Sequence, residues 1–336
     1  MTFTVNKMGS KAQKEHVVKL RNAHAKQHDI MLANHGGEVM EGNASPIPRD
    51  AWGVWDKDAL EVGREVLTVF STLAQNTMPL PIGKIMHHFQ TVSDSGSVNI
   101  SLDGKSSAKL DQPVMEHHGT PVPIIDSSFG FGWREVMAAQ TEGVQLDSAA
   151  SMNAVDKVAN ALEDLALDGD TRIVVNGAPL YGLRTHPKRN TRTTGQALNG
   201  ATAAQWEAEV KATVQLLRGD NFKTPATIFV NDDDWFYASS TLASPTNSDG
   251  KTIADVVLGM AGVREVIGAS KVLASQLIAV IKDKRTVQVL SGMPITTRSQ
   301  FRANPEDDYN FRTLAAASLE IKFTANDECG IAVSSI

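Results

Sequence analysis

The sequence is poor in features on which several large protein classes depend. Its 336 residues hold a single cysteine, Cys329, which excludes a disulfide framework and a cysteine-based zinc site. No apolar run approaches the roughly 18 residues that a membrane-spanning helix needs. The N-terminal residues have no apolar core behind their charges, so we expect no signal peptide. The chain has 42% hydrophobic and 21% charged residues, a composition that excludes a wholly disordered protein. We therefore predict a soluble protein made in the cytosol.

Positive charge is concentrated near the N-terminus. The whole chain carries a formal net charge of −6, whereas the first thirty residues carry six Lys or Arg side chains against Glu15 and Asp29. That stretch is therefore at +4 and the rest of the chain at −10. Apolar residues are sparse over 1–45, which predicts an extended or partly helical basic arm that cannot form a core by itself. The alternative interpretation of the same pattern is a solvated tail.

Residues 82–125 carry the period-two pattern of β-strands. The stretch Thr91–Leu102 alternates polar with apolar residues. Its apolar members are Val98, Ile100 and Leu102. Asp103–Gly104 is a turn signal, because glycine tolerates the positive φ of a tight hairpin. The segment contains few large apolar residues, so we predict a projecting β-hairpin and not a core sheet.

Two amphipathic helices are predicted from apolar residues at three-to-four-residue spacing. The first precedes the hairpin, and its apolar face is Leu60, Gly63, Leu67, Phe70 and Ala74. The second, over 147–169, has the clearest pattern in the chain, and Gly169 stands where a left-handed residue is favoured after a helix. Its predicted apolar face is Met152, Val155, Ala159, Leu162 and Ala166.

The rest of the chain alternates helices with strands, as in a compact α+β unit. Thr202 and Gln205 form a capping box at a helix start. Leu319–Phe323 and Ile331–Val333 alternate on either side of a turn, which predicts a terminal hairpin. The other predicted strands are 172–175, 226–230, 264–267, 277–281 and 286–290, with a turn-rich loop at 176–183.

Motifs for catalysis and for cofactor or metal binding are incomplete. Gly104-Lys105-Ser106 lacks the earlier glycine of a phosphate-binding loop, and Gly130-Phe131-Gly132 lacks the third glycine of a dinucleotide fingerprint. His87–His88 and His117–His118 are adjacent pairs, whose side chains point to opposite faces of a strand and seldom share one metal. Asp232–Asp234 could bind magnesium, but capping of the following helix explains these carboxylates better. We therefore predict no catalytic, cofactor-binding or metal-binding residue and no enzyme activity.

One basic cluster is left without a motif. Arg184, Lys188, Arg189 and Arg192 place four fixed positive charges within nine residues, around His186. Such a cluster can hold a phosphate backbone, form salt bridges between subunits or remain solvated. Because the protein is acidic and the cluster has no interleaved aromatic residues, a dedicated nucleic-acid reader is not expected.

The order of these segments resembles that of a tailed-phage major capsid protein, whose fold is shared with encapsulin shells. The matching segments are AWGVWDKDALEVGREVL, FGFGWRE (129–135), NALEDLALDG (160–169), APLYGL (178–183) and KDKRTVQVLSGMPI. The resemblance implies an α+β fold with an N-terminal arm, an extended loop over a neighbouring subunit, a peripheral domain with a long spine helix, and an axial domain. The implied N-terminal arm is 1–45, the extended loop is 82–125 and the axial domain is 195–300. The implied peripheral domain consists of three segments, 46–81, 126–194 with the spine helix at 147–169, and 301–336.

The resemblance also implies a function and partners. The chain would assemble as pentamers and hexamers, in the host cytoplasm, into the icosahedral virion shell that encloses double-stranded DNA. Its partners would be further copies of itself, a separate scaffolding protein, a portal, a decoration protein and, non-specifically, the packaged DNA, with no cofactor and no membrane. The residues implied at the loop tip are Asp103, Gly104 and Lys105, and those implied at an interface or facing DNA are Arg184, Lys188, Arg189 and Arg192.

Two other functions are compatible with the sequence. An encapsulin-like nanocompartment that encloses cargo enzymes would share the fold, although the long basic arm favours the viral hypothesis because inward positive charge suits DNA. A cytosolic hydrolase with an unrecognised site would instead be a monomer or small oligomer with a deep polar pocket.

Overall fold

The computed structural model describes residues 67–95, 112–142, 147–244 and 250–336, together with Lys19, Asn22, Ala23, Lys26, Val98, Ile100 and Leu102. The chain divides into two units, 1–64 and 65–336, and all elements named below lie in the second. The predicted basic arm falls almost entirely outside the described residues.

Helices and strands alternate through the described part of the chain. The helices are α1 (Val69–Leu73), α2 (Trp133–Glu142), α3 (Asp147–Leu167), α4 (Ala203–Gly219), α5 (Asp232–Ser240) and α6 (Ile253–Leu258). The strands are β1 (Thr77–Pro79), β2 (Met86–Val92), β3 (Met115–Pro121), β4 (Ile124–Phe131), β5 (Gly169–Val175), β6 (Ala178–Tyr181), β7 (Asn190–Thr193), β8 (Ala226–Asn231), β9 (Val263–Ala269), β10 (Leu277–Val280), β11 (Val287–Ser299), β12 (Tyr309–Ile321) and β13 (Ile331–Ser335). They form a five-stranded sheet in the order β7-β13-β10-β8-β9, a four-stranded sheet in the order β1-β11-β12-β4, and the hairpins β2-β3 and β5-β6.

The five-stranded sheet has a hydrophobic core on each face, because side chains alternate along its strands. Val230 of β8 packs with Trp206 of α4 in one core, and Phe229 lies in the other, which is shared with the four-stranded sheet. Helix α4 begins at the predicted capping box, where the Gln205 side chain accepts a hydrogen bond from the Thr202 N–H at 2.8 Å. The predicted strand at 226–230 is confirmed as the buried strand β8.

The helix predicted over 147–169 is confirmed as α3. Leu162 and Ala166 of its predicted face are buried, whereas Ala154 and Val158 are buried in place of Val155 and Ala159. Val158 is buried against β12, whereas Met152 of the predicted face is 40% exposed. The helix ends at Leu167, and Gly169 has φ of +67°, the left-handed conformation predicted there. An added Cβ at this position would lie 2.5 Å from the Gly182 nitrogen, so only glycine fits without a backbone shift.

The segment 82–125 contains a β-hairpin, but its strands do not lie where the alternating pattern predicted one. The strand predicted over Thr91–Leu102 is wrong, because β2 ends at Val92, and Val98, Ile100 and Leu102 belong to no helix or strand. Alternation shows only that a segment has two faces, whereas a strand also needs a neighbour for its backbone hydrogen bonds.

Two further local predictions are wrong. The turn-rich loop predicted over 176–183 contains strand β6, because Asn176 and Gly177, both at positive φ, make a tight turn that pairs it with β5. The predicted terminal hairpin is reduced to one antiparallel bridge between Phe323 and Cys329, since β12 pairs with β11 and β4 while β13 lies between β7 and β10. Ile331 and Val333 of β13 instead complete the core between the two sheets.

Candidate assembly surfaces

The β2-β3 hairpin exposes apolar side chains at its far end. Val92 of β2 pairs with Met115 of β3, and their side chains are 52% and 58% exposed. Beyond the paired strands, Val98, Ile100 and Leu102 are almost fully exposed. Exposed apolar side chains gathered on one element mark an interaction site. The hairpin therefore has the properties of a docking element.

A buried carboxylate holds the base of this hairpin. Glu320 of β12 is fully buried, and its Oε1 lies 2.6 Å from Nδ1 of His87 in β2. Its Oε2 accepts a hydrogen bond from the Gln288 amide and lies 3.5 Å from the Lys322 ammonium group. Because a buried charge is tolerated only when it is paired and hydrogen-bonded, this network ties β2 to the four-stranded sheet.

Aromatic rings add a second contact at the hairpin base. Phe89 of β2 and His118 of β3 lie opposite each other, and their ring centroids are 5.8 Å and 4.6 Å from that of Phe323. The His118 ring also bonds the Thr91 hydroxyl at 3.2 Å. These rings and His186 line a cleft of about 410 Å³ between the two hairpins.

A second buried carboxylate fixes the start of helix α1. Glu163 of α3 is 1% exposed and accepts hydrogen bonds from the backbone N–H groups of Val69 at 2.9 Å and Phe70 at 2.7 Å. Such groups at the start of a helix have no partner within the helix itself. Glu163 thus positions the segment that leads into the hairpin. The sequence signal that could have identified it is a glutamate next to Leu162 on the apolar face of the predicted helix.

Replacing Glu163 by Gln is expected to lower the free energy of unfolding by about 1–3 kcal/mol, because the amide nitrogen cannot accept a hydrogen bond and one buried N–H loses its partner. The matched control is Asp164→Asn. That neighbouring carboxylate lies 2.6 Å from Lys271 but is 61% exposed, so we expect a loss below about 1 kcal/mol. Chemical denaturation measures both losses, and equal values would contradict the capping role.

The predicted basic cluster is paired largely within the subunit. Three of its cations have a carboxylate partner: Arg184–Asp168 at 2.9 Å, Lys188–Asp327 at 2.6 Å and Arg192–Glu209 at 2.5 Å. Arg189 donates to the carbonyl oxygen of His186 at 2.8 Å. These contacts tie β7 to α4, and the connection between β6 and β7 to the residue after α3 and to the turn before β13. Contact of the cluster with DNA or with another subunit stays a prediction, and the other predicted site residues, Asp103, Gly104 and Lys105, lie outside the described residues.

His186, at the centre of this cluster, is held neutral. Burial, with the nearby charges of Arg189 and Lys188, lowers its pKa from 6.5 to about 4. Its Nδ1 accepts a hydrogen bond from the Lys188 N–H at 3.2 Å, which requires an unprotonated nitrogen.

Acid is therefore expected to destabilise the subunit through His186. Between the unfolded pKa of 6.5 and the folded pKa of about 4, the unfolded chain binds a proton that the folded chain does not. Stability falls as the pH drops through that window, by up to roughly 3 kcal/mol. Unfolding free energies from about pH 7.5 to about pH 4 should decline more steeply for the wild type than for His186→Gln. Parallel profiles would contradict this role.

The three consecutive aspartates serve the start of helix α5, although the capping residue is Asn231 and not one of them. The Asn231 side chain accepts a hydrogen bond from the Asp233 N–H at 3.0 Å. Asp234 is buried, accepts a hydrogen bond from the Ser275 N–H at 2.6 Å, and has a pKa raised by that burial.

No cluster of His, Cys, Asp or Glu within the described ranges could hold a metal ion. No helix in the described part of the chain could span a membrane.

Three comparisons relate this chain to known proteins. The profile of a family of unknown function, DUF6260, matches residues 43–333. The capsid of Myoviridae phage XM1 has a similar structure, with a TM-score of 0.68 and 12% identity over 86% of this chain and 98% of that one. The virus-like particle from Pyrococcus furiosus has a TM-score of 0.56 and 13% identity over 81% of this chain and 92% of that one.

A curated relative is the type 1 encapsulin shell protein EncA of Myxococcus xanthus (strain DK1622), 25% identical over 139 residues, which are 40% of this chain and 46% of that protein. The chain thus matches about half the length of this relative. The structural likenesses confirm the predicted α+β fold. Since the family profile covers most of the 336 residues, the chain belongs to the DUF6260 family, and it has the tailed-phage major capsid fold.

Proposed function

We propose that this chain is the major capsid protein of a tailed bacteriophage and assembles as pentamers and hexamers into the icosahedral shell that encloses double-stranded DNA. The observation that carries the proposal is a hairpin with an exposed apolar end on a capsid fold. A two-stranded hairpin buries too little apolar area to offset the entropy of ordering it, so contact with a neighbour supplies the missing stability. Contacts within rings are heterologous and close by rotation.

The proposed division into domains follows the two sheets. We keep 82–125 as the extended loop and α3 as the spine of the peripheral domain. Strand pairing supports moving three strands between the predicted domains, because β11 pairs in the sheet that carries α3, whereas β7 and β13 pair in the five-stranded sheet. The axial domain is then β7, β8, β9, β10 and β13 with α4, α5 and α6.

The further partners that we propose are a separate scaffolding protein, a portal, a decoration protein and the packaged DNA, in a virion assembled in the host cytoplasm. A structural and non-catalytic role follows from the same proposal.

Negative-stain electron microscopy of the purified protein at high concentration, over a range of salt, tests this function. Shells, tubes or rings of five and six subunits are expected. Particles that stay at the 36.1 kDa of one chain under all conditions would contradict it.

The second candidate function is an encapsulin-like compartment, which the similarity to EncA and to the Pyrococcus furiosus particle favours. The contents of shells purified from the natural source separate the two candidates. Nuclease-protected double-stranded DNA supports the phage capsid, whereas a stoichiometric cargo enzyme found by mass spectrometry supports the compartment. Terminase and portal genes beside this gene, as opposed to a cargo gene, give an independent answer.

A further inference from the structure

We propose that the cleft between the two hairpins holds a soft metal ion, copper(I), on the thioether of Met86 and the imidazoles of His88 and His117. All three side chains line that cleft, and they come from both strands of the β2-β3 hairpin. One bound ion would therefore fasten the two strands to each other. The site lies within one subunit and does not depend on the proposed assembly.

Strand pairing brings together histidines that are separate in the sequence. His87 and His118 lie on the face of the hairpin that packs on the body of the subunit. Because neighbouring residues of a strand point to opposite faces, His88 and His117 lie on the other face. His88 stands opposite Gly119, two residues from His117. The two adjacent pairs thus contribute one ring each to a common face, a grouping that neither pair shows by itself.

Gly119 leaves an open space that two of the ligands face. A Cβ on this residue would stand 3.0 Å from Sδ of Met86 and 3.1 Å from Nδ1 of His88. Sulfur and nitrogen converge on one point, and small side-chain rotations bring both to the roughly 2.0–2.3 Å of metal bonds to nitrogen and sulfur. His117 is exposed and lies beside this point on the same strand as Gly119, so its ring is free to turn toward it.

The donor set selects a soft, singly charged ion. Thioether sulfur favours Cu(I), whereas Mg²⁺ and Ca²⁺ require oxygen ligands. Structural Zn²⁺ takes four Cys, His or carboxylate ligands, and no Asp, Glu or Cys is among the described residues that line the cleft. Without a carboxylate to balance its charge, a divalent ion costs more to hold than a monovalent one. The site therefore differs from the clusters of His, Cys, Asp and Glu that the described ranges lack.

A bound ion would stabilise the hairpin itself. Two-stranded hairpins are marginally stable in water. Met86 and His88 belong to β2, whereas His117 belongs to β3, so the ligands are complete only when the strands are paired. A ligand that binds only the folded form stabilises it by mass action. Cu(I) is therefore expected to slow the hydrogen exchange of the amides that pair β2 with β3.

Anaerobic titration of the purified chain with Cu(I), with bicinchoninate as the competing chelator, measures the affinity. The background is Cys329→Ala, because Cys329 is the one thiol in the chain that could supply a competing sulfur. One equivalent of Cu(I) per chain is expected to resist the chelator. Met86→Leu, which keeps the apolar volume, and His117→Gln are each expected to weaken binding at least about tenfold, since even loss of a residue that only supports a ligand costs that much.

Two matched variants separate this site from general binding to surface side chains. Met137→Leu removes an exposed methionine on α2, and His186→Gln removes an imidazole that lines the same cleft from the connection between β6 and β7. Both should bind Cu(I) as the background does. Gly119→Ala should weaken binding, because the added Cβ fills the space beside the Met86 sulfur. Equal affinities of Met86→Leu and Met137→Leu would overturn the proposal.

X-ray absorption at the copper K-edge identifies the ligands directly. A sulfur neighbour of copper is expected in the Cys329→Ala background and is expected to disappear when Met86→Leu is added. Copper bound to nitrogen alone in the background, or a sulfur neighbour that persists without Met86, would overturn the site. Hydrogen-exchange mass spectrometry gives the last readout, and equal exchange of the β2 and β3 amides with and without Cu(I) would overturn the fastening of the two strands.

Discussion

Deleting residues 86–120 is expected to give folded subunits that do not assemble. The cut is structurally feasible, because the Val122 N–H donates a hydrogen bond to the Ile85 carbonyl at 2.9 Å and the two ends therefore lie side by side. The deletion removes the exposed apolar end of the hairpin together with both of its strands. Electron microscopy of the purified variant measures assembly, and intact particles would contradict the role of the hairpin.

The deletion must be separated from general destabilisation. It takes His87 away from the buried Glu320, which keeps Gln288 and Lys322 as neighbours. Combining the deletion with Glu320→Gln removes the charge that would lose its partner. Thermal unfolding of this combined variant should remain cooperative while assembly remains absent. Recovery of assembly in the combined variant would mean that the deletion acts through the unpaired carboxylate.

Replacing Val158 by Asp is expected to destabilise the subunit by about 3–5 kcal/mol, because it buries a carboxylate without a partner. Val158 is 1% exposed and packs with Leu162, Ala315 and Ala317 between α3 and the four-stranded sheet. In a domain of this size the loss corresponds to a fall in melting temperature of roughly 10 °C.

The control for this variant is Met152→Asp on the same helix. Met152 is 40% exposed, so its new carboxylate stays hydrated and the expected change is within about 0.5 kcal/mol. Differential scanning calorimetry of both variants gives the comparison. A wild-type melting temperature for Val158→Asp would show that α3 does not pack on the sheet through this face.

Much of the secondary structure could be predicted because its signals act over a few residues. The capping box of Thr202 and Gln205, the apolar strand β8 and the left-handed Gly169 each depend on local backbone geometry and burial. The order of the segments also resembled that of a tailed-phage major capsid protein.

The candidate assembly surfaces could be predicted less well, because they depend on contacts between distant residues. Glu163 lies next to Leu162 in the sequence, yet its role is set by two N–H groups more than ninety residues away. The pairing of His87 with Glu320 spans an even longer stretch of chain. Glu320 could not be distinguished in the sequence from a solvated surface residue, and Glu163 is marked only by its place beside Leu162.

The sequence by itself determined helix α3, the capped start of helix α4 and the apolar strand β8, and it predicted a β-hairpin within residues 82–125. Only the tertiary structure decided which strands pair. It moved β13 into the five-stranded sheet, put β4 at the end of the four-stranded sheet among the described strands, and placed Val98, Ile100 and Leu102 outside any strand. The physical reason is that helices satisfy their hydrogen bonds locally, whereas a strand depends on a neighbour that is distant in sequence.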